Sequence, residues 1–215
     1  MCVCPVPSRE QILNALEKKQ GKSATEKLQA STVAVCGLGG LGSNIAISLA
    51  RAGVGKLILI DFDTVDITNL HRQQYKVTQV GLPKAEALLE NLKEIAPYVR
   101  YAIHNEKVTA ENAERLLRDA DVVCEAFDKA EAKAMLVDAV LERFPEKFLV
   151  AASGMAGFES GNSICTRKIA KNFYLCGDGC SDVDLDMGLL APRVALCAAH
   201  QALTIIRLVL GQTNP

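Results

Sequence analysis

The chain has 215 residues, 49% of them hydrophobic, a formal net charge of −1 and no tryptophan. That length suffices for a single domain over residues 1–215 with a sizeable core, and so near-neutral a charge argues for no nucleic-acid or membrane-surface partner. Eight cysteines with no N-terminal export signal read as reduced thiols, which makes the cytoplasm the expected compartment.

Ser8 to Lys19 predicts a helix, with Ser8 as N-cap candidate and Ile12, Leu13 and Leu16 at helical spacing. It belongs to an N-terminal helical arm over residues 1–30. Cys2 and Cys4 precede it and read as part of a tail. Val33 to Cys36 is an apolar strand, followed by a glycine-rich turn, a helix and a second apolar strand from Leu57 to Ile60. Gly37, Gly39 and Gly42 fit G-x-G-x-x-G between strand and helix, the context a nucleotide fingerprint requires. In that fingerprint Gly37 permits the tight turn, Gly39 lets the backbone approach a phosphate, and Gly42 lets the helix pack on the sheet. The helix N-terminus then offers free N–H groups to an anion. Asp61, just past the second strand, is placed to accept from a ribose.

The glycine spacing also suits a P-loop, but Ser43 and Asn44 stand where Lys and Ser/Thr belong, so no lysine reaches phosphates from this turn. On the fingerprint alone a Rossmann dehydrogenase is the favoured reading. Asp63, Asn69, Arg72 and Gln73 reverse that order. A dehydrogenase has no need of them so soon after its ribose-binding acid, whereas a triphosphate losing pyrophosphate needs a cation and amide donors.

Pro83 suits the start of a helix to Ile95, which puts Lys84 in the first turn, a poor place for a cation. Val99 to Ile103 reads as a strand, Ala110 to Asp119 as a helix and Asp121 to Phe127 as a strand. Asp128 then sits at a carboxyl strand end, where open α/β sheets bind ligands, and it could equally cap the helix starting at Lys129. Leu149 to Ser153 is a further strand, and Gly157 to Cys176 alternates as antiparallel strands would. In the Asp- and Gly-rich loop from Gly177 to Leu190, Asp182, Asp184 and Asp186 alternate like calcium ligands. Gly188 is one place late, however, and Arg193 stands where the bidentate Glu belongs, so calcium is rejected. Cys176 and Cys180 have no second C-x-x-C pair after them, which argues against structural zinc, although Cys2 and Cys4 could complete a tetrad. Cys36, Cys124 and Cys197 lie on apolar elements as core residues. His71, His104 and His200 show no metal spacing and receive no catalytic role. The last helix runs from Pro192 to before Gly211, and His200, Gln201 and Arg207 interrupt its apolar run, against a membrane span. The expected class is α/β: a Rossmann-like, doubly wound, mainly parallel sheet extended by antiparallel strands, with helices on both faces.

Four blocks in this order, GLGGLGSN, DFDTVDITNLHRQQY, GLPKAEA and EAFDKAEAK, resemble the E1-type adenylating enzymes. The length and the ending CGDG…GLLAPRVALCAAHQA are most similar to the short ThiF branch, and the resemblance runs from Val33 to Gly211. It implies adenylation of the C-terminal glycine of a small β-grasp sulfur carrier of the ThiS type, in thiamine biosynthesis, with ATP and Mg2+ as cofactors and a homodimer as the assembly. A MoaD-type carrier is the alternative, and an NAD-dependent oxidoreductase a less favoured one. The nucleotide site it implies comprises Gly37, Gly39, Gly40, Gly42, Asp61, Asp63, Asn69, Arg72, Gln73 and Lys84. Arg72, Lys84 and Asp128 would serve catalysis, Asp128 also holding the metal. Lys84 would supply from another loop the charge that the glycine turn lacks. The 177–190 loop, mobile and solvated, would cross over the carrier's tail. A covalent sulfur link at Cys176 or Cys180 is a further implication, with no His or Lys placed to lower the thiol pKa. Arg9 is the candidate for an N-terminal arginine that longer relatives send into the partner subunit's site, although their Arg-rich motif is not recognisable.

Overall fold

A computed structural model describes residues 5–182 and 188–215. Helices α1 (Arg9–Gln20) and α2 (Lys22–Ala30) come first, followed by β1 (Thr32–Cys36), α3 (Gly40–Ala52) and β2 (Lys56–Ile60). Next are α4 (Lys84–Ile95), β3 (Arg100–His104), α5 (Ala113–Leu117), β4 (Val122–Glu125) and α6 (Ala130–Arg143). The chain closes with β5 (Phe148–Ala152), β6 (Cys165–Lys168), β7 (Phe173–Gly177) and α7 (Ala191–Val209). The seven strands form one sheet in the order β3-β2-β1-β4-β5-β7-β6. Every neighbouring pair is parallel except β6 with β7.

The apolar runs read as central strands are buried on both faces, as a parallel sheet demands. Their side chains alternate between two cores. Val33, Val35, Leu57 and Leu59 join the layer shared with α3, α4 and α7. Ala34, Cys36, Ile58 and Ile60 join the layer under α5 and α6. Strand order reverses direction at β1 and β4, so the carboxyl ends of these two strands open the crevice where ligands bind in doubly wound sheets. No described helix is long and apolar enough to cross a membrane.

Three expectations need correction. The helix expected over 110–119 is confined to Ala113–Leu117, because Asn112 turns its side chain to the local backbone, accepting from Thr109 N at 2.7 Å and donating to Lys107 O at 2.9 Å. Such local bonds compete with helix formation. The strand expected to reach Phe127 stops at Glu125, because the Glu125 carboxylate takes the Phe127 N–H at 2.7 Å and turns the chain out of the sheet. Of the two strands expected to be antiparallel, β7 runs parallel to β5 and only the edge strand β6 runs against its neighbour. The alternation in the sequence records exposure, not direction.

Candidate functional site at the carboxyl ends of β1, β2 and β4

The glycine turn is fixed by contacts that leave its glycines three different environments. Gly37 has φ 92°, and a Cβ there would meet Ala126 O at 2.7 Å, across from the end of β4. At Gly42 a Cβ would lie 1.8 Å from Gly37 O, so the helix touches the turn at this point. Gly40 is packed from the other side, where a Cβ would stand 2.9 Å from Val194 on α7. Gly39 is open: its nearest neighbour would be Gln73 Nε2 at 3.7 Å. The one glycine assigned to phosphate approach is thus the one that protein atoms do not crowd.

Asp61 is buried and buckles the turn to the exit of β2. Its Oδ2 accepts from Leu38 N at 2.6 Å and its Oδ1 from Asp63 N at 2.8 Å. Burial pushes its pKa up, while the Lys84 charge and the two backbone donors oppose that shift. Each oxygen keeps a second lone pair for a ribose hydroxyl. Tyr75 completes the buckle by donating its hydroxyl to Leu38 O at 2.7 Å.

The polar stretch after Asp61 is bound to the start of α3. Asn44 Nδ2 donates to Gly40 O at 2.7 Å and to Arg72 O at 3.3 Å. Ser43 Oγ accepts from Gln74 N at 3.1 Å, and Gln74 Nε2 reaches Asn44 Oδ1 at 2.7 Å. Arg72 and Gln73 are thereby held over the helix N-terminus. The Gln73 side chain is buried and its Oε1 has no hydrogen-bond partner. A buried unpaired acceptor calls for an explanation; only a donor such as a ribose O–H or an adenine N–H would satisfy this oxygen, whereas the Nε2 donor of the same amide is the atom nearest Gly39. Arg72 lies near enough to Asp128 to feel its charge: burial lowers the guanidinium pKa and Asp128 raises it.

Asp128 is exposed at the end of β4. The capping alternative fails, because α6 has Lys129 as its N-cap and no side-chain cap bond. A carboxylate free of its own helix, beside an arginine and at a carboxyl strand end, fits the sparse oxygen set that magnesium takes together with substrate phosphates. Among the described residues, no group of three or more His, Cys, Asp or Glu side chains is gathered as for a protein-held metal.

Two expected phosphate ligands are already engaged. Lys84 is 6% exposed and its Nζ is 3.0 Å from Asp63 Oδ2, so Asp63 offsets the unfavourable position at the start of α4. Asn69 closes the turn Ile67–Asn69 by accepting from Asp66 N at 3.2 Å; its amide nitrogen remains to donate. Arg9 is remote from this end of its own chain. It lines a cavity of about 160 Å³ with Arg51 and Gly53 at the far end of α3, a helix of 13 residues and so about 20 Å long.

Sequence reasoning missed the ties made by Ser43, Asn44, Gln74 and Tyr75, whose one signal was their adjacency to the glycines and to Arg72. It also missed an ion pair at the exit of β4, with Glu125 buried and Lys133 partly exposed. Glu125 is fully buried, with Lys133 Nζ at 3.0 and 3.1 Å from its two oxygens and bonded on to Ala152 O at 3.1 Å. Burial raises the Glu125 pKa and Lys133 opposes it.

The expected crossover loop has anchored ends. Arg193, buried, donates to Ala156 O, Glu159 O, Ser160 O and Ser163 Oγ and pairs with Asp178 Oδ2 at 2.5 Å. Asp178 Oδ1 in turn accepts from Cys180 N and Ser181 N, both at 2.9 Å. Burial would raise the Asp178 pKa, but the bonds from Ser181, Cys180 and Arg193 outweigh it and hold the carboxyl well below its ordinary value. Asp184 and Asp186 lie outside the described residues, as do Cys2 and Cys4. Cys180 is exposed, whereas Cys176 is buried beneath Thr166 and Thr204.

A profile described as the ThiF family matches residues 10–215. Adenylyltransferase and sulfurtransferase MOCS3 of Aedes aegypti is 32% identical over 220 residues, covering 96% of this chain and 47% of its own length. MOCS3 of Drosophila yakuba is 34% identical over 199 residues, covering 86% and 42% respectively. This chain therefore spans less than half of these curated relatives. Among solved structures, E. coli tRNA N6-threonylcarbamoyladenosine dehydratase, TcdA, in complex with ATP superposes with a TM-score of 0.86 at 23% identity, covering 97% of this chain and 98% of that one. E. coli MccB with AMPCPP and MccA gives a TM-score of 0.71 at 20% identity, covering 90% of this chain and 60% of that one. These two likenesses establish the Rossmann-like fold, and the profile and curated relatives establish the kinship: the chain belongs to the ThiF family.

Proposed function

We propose that this chain is an E1-like adenylyltransferase that uses ATP and Mg2+ to activate the C-terminal glycine of a small β-grasp carrier, of the ThiS type, as a homodimer. The observation that carries the reading is the gathering of Arg72 and Gln73 over the N-terminus of α3, with the Gln73 Nε2 donor facing open Gly39 and the Asp128 charge acting on Arg72.

In this reading the carrier carboxylate, ionised at neutral pH, attacks the α-phosphorus of ATP. The new carboxyl O–P bond forms as the bond from the α-phosphorus to the bridging oxygen breaks, and pyrophosphate leaves with that oxygen. No proton is transferred, so no general base is required. Rate enhancement comes from alignment and from neutralising charge on the phosphates. Asp61 takes the ribose, while Arg72, Gln73, Asn69 and the helix terminus take the phosphates. Lys84, with Asp63 as its fixed counter-ion, contributes a tethered positive charge. Asp128 would hold magnesium, which supplies further charge neutralisation when bound.

The test is ATP–pyrophosphate exchange with purified protein, magnesium and a ThiS-like carrier, run beside a MoaD-type carrier. Exchange that depends on the ThiS-like carrier alone supports the full reading. Exchange with only the MoaD-type carrier retains the adenylation and replaces the partner. Exchange with neither, together with tight NAD binding, overturns the reading in favour of an oxidoreductase.

A further inference from the structure

We infer that Asn91, about 10 Å along α4 from Lys84, is a positioning residue: paired with Gln79 as an amide clamp, it holds the Gln74 carbonyl and so sets Arg72 and Gln73 over the N-terminus of α3. The inference rests on the reading of Arg72 and Gln73 as phosphate ligands for its effect on ATP. The clamp itself stands apart from that reading.

Residues 70–76 belong to no helix or strand, so no ladder of backbone bonds fixes Arg72 and Gln73. Their own N–H groups both donate to Asn69 O, at 3.2 and 3.0 Å, a turn hung on one carbonyl. The next residue is gripped through both its backbone groups. Gln74 N donates to Ser43 Oγ on α3 at 3.1 Å, and Gln74 O accepts from Asn91 Nδ2 on α4 at 2.9 Å. Gln74 thus bridges two helices, immediately after the two residues assigned to the phosphates.

Asn91 and Gln79 are both buried, and their amides pair reciprocally. Gln79 Nε2 donates to Asn91 Oδ1 at 3.1 Å, and Asn91 Nδ2 donates to Gln79 Oε1 at 3.0 Å. Backbone groups fix which way each amide points. Gln79 Oε1 accepts from Lys76 N at 3.0 Å, while its Nε2 donates to Ala87 O at 2.9 Å and also reaches Glu90 Oε2 at 3.0 Å. Reversing that amide would set N–H against N–H and oxygen against oxygen. The fixed Gln79 amide in turn orients Asn91, whose Nδ2 has two hydrogens and uses one on Gln79 and the other on Gln74 O. Two apolar side chains would fill the same space at little cost in stability. What the amides add is a bond directed out of the core onto an irregular segment. A buried, paired network has a single arrangement, so the nucleotide meets Arg72 and Gln73 already aligned rather than ordering them on arrival.

The test compares Asn91→Leu with the wild-type chain. Leucine keeps the branched shape and donates nothing, so Gln74 O loses its partner. Amide hydrogen exchange without nucleotide reads the anchor: protection at Gln74 N, bonded to Ser43, should fall about fivefold, the weight of one ordinary net hydrogen bond. Calorimetric titration reads the consequence, and ATP affinity should fall about tenfold as the phosphate ligands lose alignment. A general loosening of the fold would weaken ATP in any background, whereas lost positioning has no effect once the positioned side chains are gone. Adding Asn91→Leu to Arg72→Ala/Gln73→Ala should therefore change ATP affinity by less than about twofold. If Asn91→Leu shows no cooperative unfolding in urea, Gln79→Met takes its place; it unlocks the Asn91 amide but leaves the bond to Gln74, and should act in the same directions by about threefold. Unchanged Gln74 protection, unchanged ATP affinity, or a loss that persists without Arg72 and Gln73 overturns the inference. The amide readout uses no ATP, so a wild-type chain that binds no ATP refutes the nucleotide reading, while the fall in Gln74 protection still upholds the clamp.

Discussion

Replacing Gly42 and Gly39 by alanine separates the structural from the ligand-facing glycines. In Gly42→Ala the new methyl starts 1.8 Å from Gly37 O and 2.9 Å from Gly37 C, both backbone atoms that cannot swing aside. Ordinary van der Waals contact begins at 3.4 Å, so α3 and the turn must part by about 1.6 Å. That displacement drags Leu41, Ile45 and Leu49, all buried in the layer with α7. Overpacking of this kind costs about 1–3 kcal/mol, and its backbone character places it at the upper end. For a chain of this size about 3 kcal/mol lowers Tm by roughly 6–12 °C. Gly39→Ala meets nothing closer than 3.7 Å and its φ of −74° suits any residue, so its stability should stay within about 0.5 kcal/mol of wild type. If Gly39 is the glycine of phosphate approach, its methyl takes the space the phosphate needs, and ATP affinity should fall about a hundredfold or more. Urea unfolding gives the stabilities and calorimetric titration with ATP the affinities. A Gly42→Ala chain as stable as wild type, or a Gly39→Ala chain that binds ATP normally, would refute the division of labour.

Arg72→Ala and Asp128→Ala should each slow carrier-dependent ATP–pyrophosphate exchange by about a hundredfold or more, the loss of one transition-state contact; near wild-type rates would remove both from the mechanism. Asp63→Asn should destabilise the fold by about 1–2 kcal/mol in urea, because it leaves the buried Lys84 ammonium without its counter-ion, although the side chain of Asp63 is 49% exposed and water screens part of the loss. Asp178 has a folded pKa held below its unfolded value, so its contribution is complete above about pH 4 and is lost as pH falls further. The stability gap between wild type and Asp178→Asn, measured by urea unfolding at stepped pH, should therefore be constant near neutrality and shrink in acid; a gap that stays constant down to pH 2 would contradict the pairing. Burial pushes the Cys36, Cys124 and Cys197 thiols up, Cys197 to about 12, whereas Cys165 and Cys180 are exposed. Brief iodoacetamide treatment followed by peptide mass spectrometry should label the second pair and spare the first three.

The sequence alone determined the strand–turn–helix unit around the glycines. Gly37, Gly39 and Gly42 lie within that one local unit, so its geometry follows from neighbouring residues, and the apolar runs of β1, β2, β4 and β5 are short and continuous because both of their faces are buried. Tertiary structure decided everything that depends on groups far apart in the chain. It turned β7 parallel to β5, because strand direction is set by the connection and not by alternation. It gave Lys84 a partner in Asp63, 21 positions away, and set buried Glu125 against Lys133. It buried Arg193, read from the sequence only as the wrong residue for a calcium loop, where four backbone and side-chain oxygens and Asp178 receive its guanidinium. It also brought His71 to Leu189 across 118 positions. Side-chain periodicity records which face is wet or dry, but the partner of a buried charge is fixed only when the sheet order brings distant segments to the same edge.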